Sequence, residues 1–159
     1  MRITIIAVGK IRESWINQGI SEYCGRLRRF DTIKLVELPD EPMPIAYSEK
    51  EISRAMEKTG ERIISRLPVG AWAVALHPDG ELLGSPGLAD MLSQLSVAGT
   101  HHVAFVVGGS QGLAPLVLKR CDKRVSFGPN IFPHRLFRVM LLEQIYRARK
   151  IMMGQTYHK

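Results

Sequence analysis

The sequence predicts an α/β protein built on a mainly parallel sheet with helices on both faces. Short apolar, β-branched runs alternate with stretches whose apolar residues recur at helical spacing. Glycine and proline separate most of these runs from one another. The 159 residues are 45% hydrophobic and 23% charged, so residues 1–159 read as one globular domain with a single core.

The elements follow in order. Ile3–Val8 is a strand ending at Gly9. Arg12–Phe30 reads as a helix with Trp15, Ile16, Ile20, Tyr23 and Leu27 on its apolar stripe. Ile33–Leu38 is a second strand, closed by Pro39-Asp40 and a polar, proline-rich loop through Tyr47. Ser48-Glu49-Lys50-Glu51 has the form of a capping box, in which serine and glutamate satisfy the exposed amides of a helix start. Ile52, Met56, Ile63 and Leu67 give that helix its stripe. Ala71–Leu76 is a third strand and His77-Pro78-Asp79-Gly80 a turn. Ser85 reads as an N-cap with Pro86 at the first helical position, ahead of Leu88, Met91, Leu92 and Leu95. Val103–Val107 is a fourth strand, Leu113–Lys119 a short helix and Arg124–Phe127 a brief fifth strand. A long helix runs from about His134 to Met152, followed by the tail GQTYHK.

Sheets of this kind bind ligands beyond the carboxyl ends of their strands. Three loops leave those ends: after Leu76, at Gly108–Gly112, and at Ser126–Pro133. The formal charge of +7 and the pI of about 9.7 favour a polyanionic partner, nucleic acid first, although a basic enzyme acting on a small molecule fits the charge equally. Cys24 and Cys121 lack metal-ligand spacing and read as reduced thiols of a cytoplasmic protein. No apolar run approaches membrane length, so no membrane partner is expected.

The loop GGSQG is tested against known chemistries. It lacks the Lys-Ser or Lys-Thr of a phosphate-binding loop. It follows the fourth strand rather than the first and is trailed by basic residues, which disfavours a dinucleotide site. Ser110 is not in a G-x-S-x-G elbow. The five histidines show no metal-ligand pattern, so no metal is expected. On its own, the loop is equally a tight turn. The tail is more pointed: Tyr157, His158 and Lys159 offer a stacking ring, a base that works near neutral pH and a cation.

Together, ITIIAVGKIRE, VVGGSQGL, SFGPNIFPHRLFRVMLLEQIYRARKI and the terminal YHK resemble the ribosomal RNA large subunit methyltransferase H family, a SPOUT-class family, over essentially the whole chain. The resemblance implies a C-terminal segment threaded into a trefoil knot, a rare exception to ordinary topology. It implies transfer of a methyl group from S-adenosylmethionine (SAM) to N3 of a pseudouridine in large-subunit (23S) ribosomal RNA, by a homodimer acting on assembled ribosomes. Matched residue by residue, Leu76, Gly108, Phe127, Gly128, Pro129, Asn130, Ile131 and Phe132 should bind SAM. His158 is expected as the base or the group that positions N3, with Tyr157 orienting the nucleobase. Arg138 and Lys159 are expected to hold phosphates or the developing imide anion. The chain departs from the family where Gly128 replaces a common serine, Ile131 replaces a common threonine, and the tail lacks a second histidine. A SPOUT enzyme acting on tRNA or another RNA, and a non-catalytic ribosome- or RNA-binding module, are the alternatives.

Overall fold

Five parallel strands form one sheet in the order β2-β1-β4-β3-β5. They are β1 (Arg2–Val8), β2 (Thr32–Leu38), β3 (Trp72–Leu82), β4 (His102–Val107) and β5 (Lys123–Ser126). The helices are α1 (Ser14–Leu27), α2 (Glu49–Arg66), α3 (Ser85–Val97), α4 (Pro115–Arg120) and α5 (His134–Met152). The computed structural model describes residues 1–41, 48–155 and 157; most of the proline-rich loop lies outside them.

The sheet explains the uninterrupted apolar runs, because β1 and β4 are buried on both faces. On one face Ile3, Ile5, Phe105 and Val107 pack against Ile16 and Ile20 of α1, Leu88 and Leu92 of α3, and Leu141, Leu142 and Ile145 of α5. On the other, Ile6, Val8 and Val106 meet Ile63 of α2 and Val117 of α4. The period-two alternation along each strand assigns the residues to the two faces.

Three local expectations need correction. Trp15 is 58% exposed while its neighbour Ile16 is buried, so the α1 stripe is narrower than its apolar spacing suggests. The N-cap of α3 is Gly84; Ser85 sits one place inside, where its hydroxyl bonds Gln144 Oε1 of α5 at 2.6 Å. The turn at His77–Gly80 is an interruption within β3, which pairs with β5 at Leu76 and again at Glu81, both opposite Val125. Glycine is needed there: a Cβ on Gly80 would lie 2.6 Å from the backbone of Val125. The capping box forms as expected, with Glu51 N–H donating to Ser48 Oγ and Ser48 N–H to Glu51 Oε2.

Candidate active site

A cavity of about 390 Å3 lies at the C-terminal ends of β3, β4 and β5. The three strand-end loops meet in it. Leu76, Gly108, Phe127, Gly128, Asn130, Ile131 and Phe132 line it; Pro129 is exposed and is not among its lining residues.

The GGSQG loop closes on itself. Gly109 and Gly112 form an isolated antiparallel bridge, with Gly112 N–H donating to Gly109 O at 3.1 Å. A Cβ on Gly108 would lie 2.7 Å from the carbonyl carbon and oxygen of Gly112, so the two arms touch backbone to backbone and admit no side chain. Across the cavity, Ser126 Oγ accepts from Gly128 N–H and donates to Gly128 O, both at 3.2 Å. Phe127 and Phe132 flank Phe137 of α5, with ring centroids 5.2 and 6.3 Å from it, and make an apolar wall. Among the described residues no Lys, Arg, Asp or Glu lines the cavity, and the titratable lining groups are His77 and His134. Such a site reads a ligand with backbone amides, carbonyls and rings rather than with charge.

The first turns of α5 close the side nearest β1. Arg135 pairs with Glu13, just ahead of α1, at 2.6 Å. Arg138 is fully buried: Nη1 donates to Glu37 Oε1 at 2.8 Å, and Nη2 to the carbonyls of Val8 and Gly9 at 2.6 and 2.7 Å. The expectation that Arg138 holds a substrate phosphate is therefore corrected, because the guanidinium is enclosed by its own chain. His134, one turn earlier, lines the cavity. Burial, followed by the Arg138 and Arg135 cations, pushes its imidazole below the usual histidine range.

Tyr157 lies elsewhere. Tyr157 packs edge-on against Tyr146 at 5.1 Å, with the Arg147 guanidinium 4.9 Å from its ring centre. Tyr146 is twelve residues along α5 from His134, about 18 Å at helical rise. The cavity and Tyr157 are thus well apart within one chain. His158 and Lys159 lie outside the described residues. Among the described residues no group of three or more potential ligands gathers to hold a metal, and no helix is long and apolar enough to cross a membrane.

Residues 1–158 match the family described as "Predicted SPOUT methyltransferase". The chain is 45% identical to the ribosomal RNA large subunit methyltransferase H of Alkaliphilus oremlandii and 43% identical to that of Listeria monocytogenes, each over 100% of both chains. The chain belongs to the ribosomal RNA large subunit methyltransferase H family of SPOUT methyltransferases.

In this SPOUT methyltransferase the rest of the Gly108–Gly112 loop and His77-Pro78 of the loop after Leu76 also line the cavity. So do Leu113, His134 and Phe137, which the sequence did not single out. The signal for His134 was its place at the first position of a helix, four residues before Arg138 and hence on the same face. No local pattern announces the Arg138–Glu37 pair, whose members are 101 residues apart.

Proposed function

We propose that the protein transfers a methyl group from SAM to N3 of a pseudouridine in large-subunit (23S) ribosomal RNA, on assembled ribosomes in the cytoplasm, as a homodimer. The observation that carries this reading is the meeting of three strand-end loops in one uncharged cavity, in a chain of this family. The residues suit SAM. The cavity offers backbone hydrogen-bonding groups and aromatic walls and, among the described residues, no Lys or Arg to repel a sulfonium. When bound, SAM supplies an electrophilic methyl group: its sulfur–carbon bond breaks with the electron pair left on sulfur, N3 forms the new bond, and the N3 proton passes to a base.

The chain's own residues then divide the work. The backbone of Gly108–Gly112 and Phe127–Phe132 holds the donor, and Phe127, Phe132 and Phe137 keep water from it. His158 takes the N3 proton or positions N3. Tyr157 stacks on the nucleobase and Lys159 pairs a phosphate. The net charge of +7 draws the ribosome, so binding weakens as salt rises.

The separation of Tyr157 from the cavity supports a dimer in which one protomer's tail completes its partner's site. So do the exposed Trp15 and the groove between Tyr23 of α1, Leu83, and Val139 and Met140 of α5. The trefoil knot belongs to the same reading. Its support is the return of the chain from edge strand β5 to place α5 against α1 and α3.

The test incubates purified protein and methyl-labelled SAM with ribosomes lacking the modification, and with ribosomes that also lack the pseudouridine. Label should map to N3 of one large-subunit pseudouridine in the first set and be weak or missing in the second. SAM binding without label on either set, or label only on tRNA, would overturn the substrate assignment. His158→Ala should slow single-turnover transfer; a wild-type rate would remove His158 as the base.

A further inference from the structure

The first turns of α5 contain three polar atoms that hydrogen bonding leaves over. Among the described residues, His134 Nε2, Arg135 Nε and Arg138 Nε are buried without a partner. Buried polar atoms are seldom left so, and a cluster of them beside a cavity calls for an explanation. The side chains of His134 and Arg138 are crowded against Gly9, at the end of β1. A Cβ there would lie 3.1 Å from His134 Nε2 and 3.7 Å from Arg138 Nη2.

That crowding selects a tautomer. The Arg138 guanidinium is pinned by Glu37 and by the carbonyls of Val8 and Gly9, so it cannot swing away. A cation beside Nε2 disfavours a proton on Nε2, and burial disfavours the doubly protonated ring. Arg135 adds to this, whereas Asp40 and Glu13 oppose it weakly. The ring therefore favours the neutral form, and with Nε2 buried against Gly9 the single proton is expected on Nδ1. His134 thus brings a neutral donor to a cavity whose other polar side chains are His77, Ser110, Gln111, Ser126 and Asn130 among the described residues.

We propose that His134 contacts the accepting nucleobase, its Nδ1–H donating to a carbonyl oxygen beside N3, and that Arg138 is the positioning residue that sets this tautomer. The proposal rests on the methyl-transfer reading above. An imide nitrogen lies between two carbonyls, and both oxygens gain negative charge as the N3 proton leaves. A neutral donor strengthens with that charge and accepts no proton itself. It also disfavours cytosine on the side where an amino group replaces the carbonyl, because donor would face donor.

Two measurements test the proposal. In long-range proton–nitrogen spectra of 15N-histidine-labelled protein, His134 should be neutral near pH 7 with its proton on Nδ1. Arg138→Lys and Arg138→Met should weaken that preference in folded protein, as judged by an unchanged far-UV spectrum. A proton on Nε2 in the wild type would overturn the proposal, whatever RNA the enzyme modifies. In single-turnover methylation of ribosomes, His134→Ala should lose about tenfold or more in rate. SAM affinity measured by calorimetry should change by less than about threefold, since backbone holds most of the donor. His134→Asn, which keeps an N–H where Nδ1 stood, should recover most of the rate, and His134→Gln should not. A His134→Ala rate within about twofold of wild type, or rescue by Gln alone, would overturn the proposal. Failure of wild-type protein to methylate any ribosome would instead count against the substrate reading, and the spectra alone would then decide the tautomer.

Discussion

Helix α5 buries an arginine near each end, and the two are held differently. At the far end, Arg149 meets Asp31 with two donors, Nε and Nη2, at 2.7 and 2.6 Å. The same carboxylate takes the Met1 amine at 3.4 Å, and the remaining guanidinium edges touch the sulfurs of Met152 and Met1. At the near end, Arg138 has one contact to a partly exposed Glu37, two to backbone carbonyls, and one nitrogen left over beside His134 and the cavity. A closed set of partners marks a fastening. An open one, next to a cavity, marks the end where the protein still has a hydrogen bond to make.

The comparison is most severely tested at the fastening. Arg149→Met leaves Asp31 without its main partner, and should cost about 3–5 kcal/mol in urea unfolding. The protein that remains folded should bind SAM as the wild type does. Adding Asp31→Asn should recover part of the loss, since a buried carboxylate would no longer stand unpaired. A loss below about 1 kcal/mol would put Arg149 on the level of a surface ion pair and dissolve the contrast. Arg138→Met should cost less, about 1–3 kcal/mol, because Glu37 can turn to water. Its main effect should fall on methyl transfer.

Gly108→Ala sharpens the same contrast from inside the cavity. The added carbon meets Gly112 backbone, so a few tenths of an ångström of local give cannot relieve it. Stability should fall by about 1–3 kcal/mol. SAM-dependent thermal stabilisation should shrink further, because the loop proposed to hold the donor must open. A variant stabilised by SAM as strongly as the wild type would exclude that loop from the donor site.

The smallest effect is in pH. His134 is pushed below 6.5 by burial and by Arg138 and Arg135, and His102 below it by burial and by Arg2 and Lys34. Below about 6.5 the unfolded chain binds protons that the folded one refuses, so stability should decline as pH falls from 7.5 to 5.5. Glu13 and Glu51 lie below 4.5 through hydrogen bonds, to backbone and Arg135 for Glu13 and to Ser48 for Glu51, so they contribute only at lower pH. His134→Asn should flatten the decline between 7.5 and 5.5. An unchanged slope in that variant would mean that His102 carries all of it.

Much of the working site was legible because its parts are local. Glycines after an apolar run, a proline-rich loop after the last strand, and a leucine at a strand end each identify a backbone that comes close to something. The cavity gathers those segments. The residues misread were those whose meaning depends on distant partners. Arg138 reads as a surface cation until Glu37 and the end of β1 close around it. Ser85 reads as a cap until Gln144 takes its hydroxyl. Trp15 reads as core until the buried face of α1 is seen to run through Ile16, Ile20 and Leu27.

By itself, the sequence determined the alternation of strands and helices, the parallel sheet and the three loops. These follow from hydrophobic period and from the conformational limits of glycine and proline, which act over a few residues. Tertiary structure alone decided the strand order and the passage from β4 over β3 to β5. It also decided the burial of Arg138 and the place of His134 beside the cavity. Those depend on contacts between residues up to 130 positions apart, as between Arg138 and Val8, and such contacts leave no pattern in the chain that forms them.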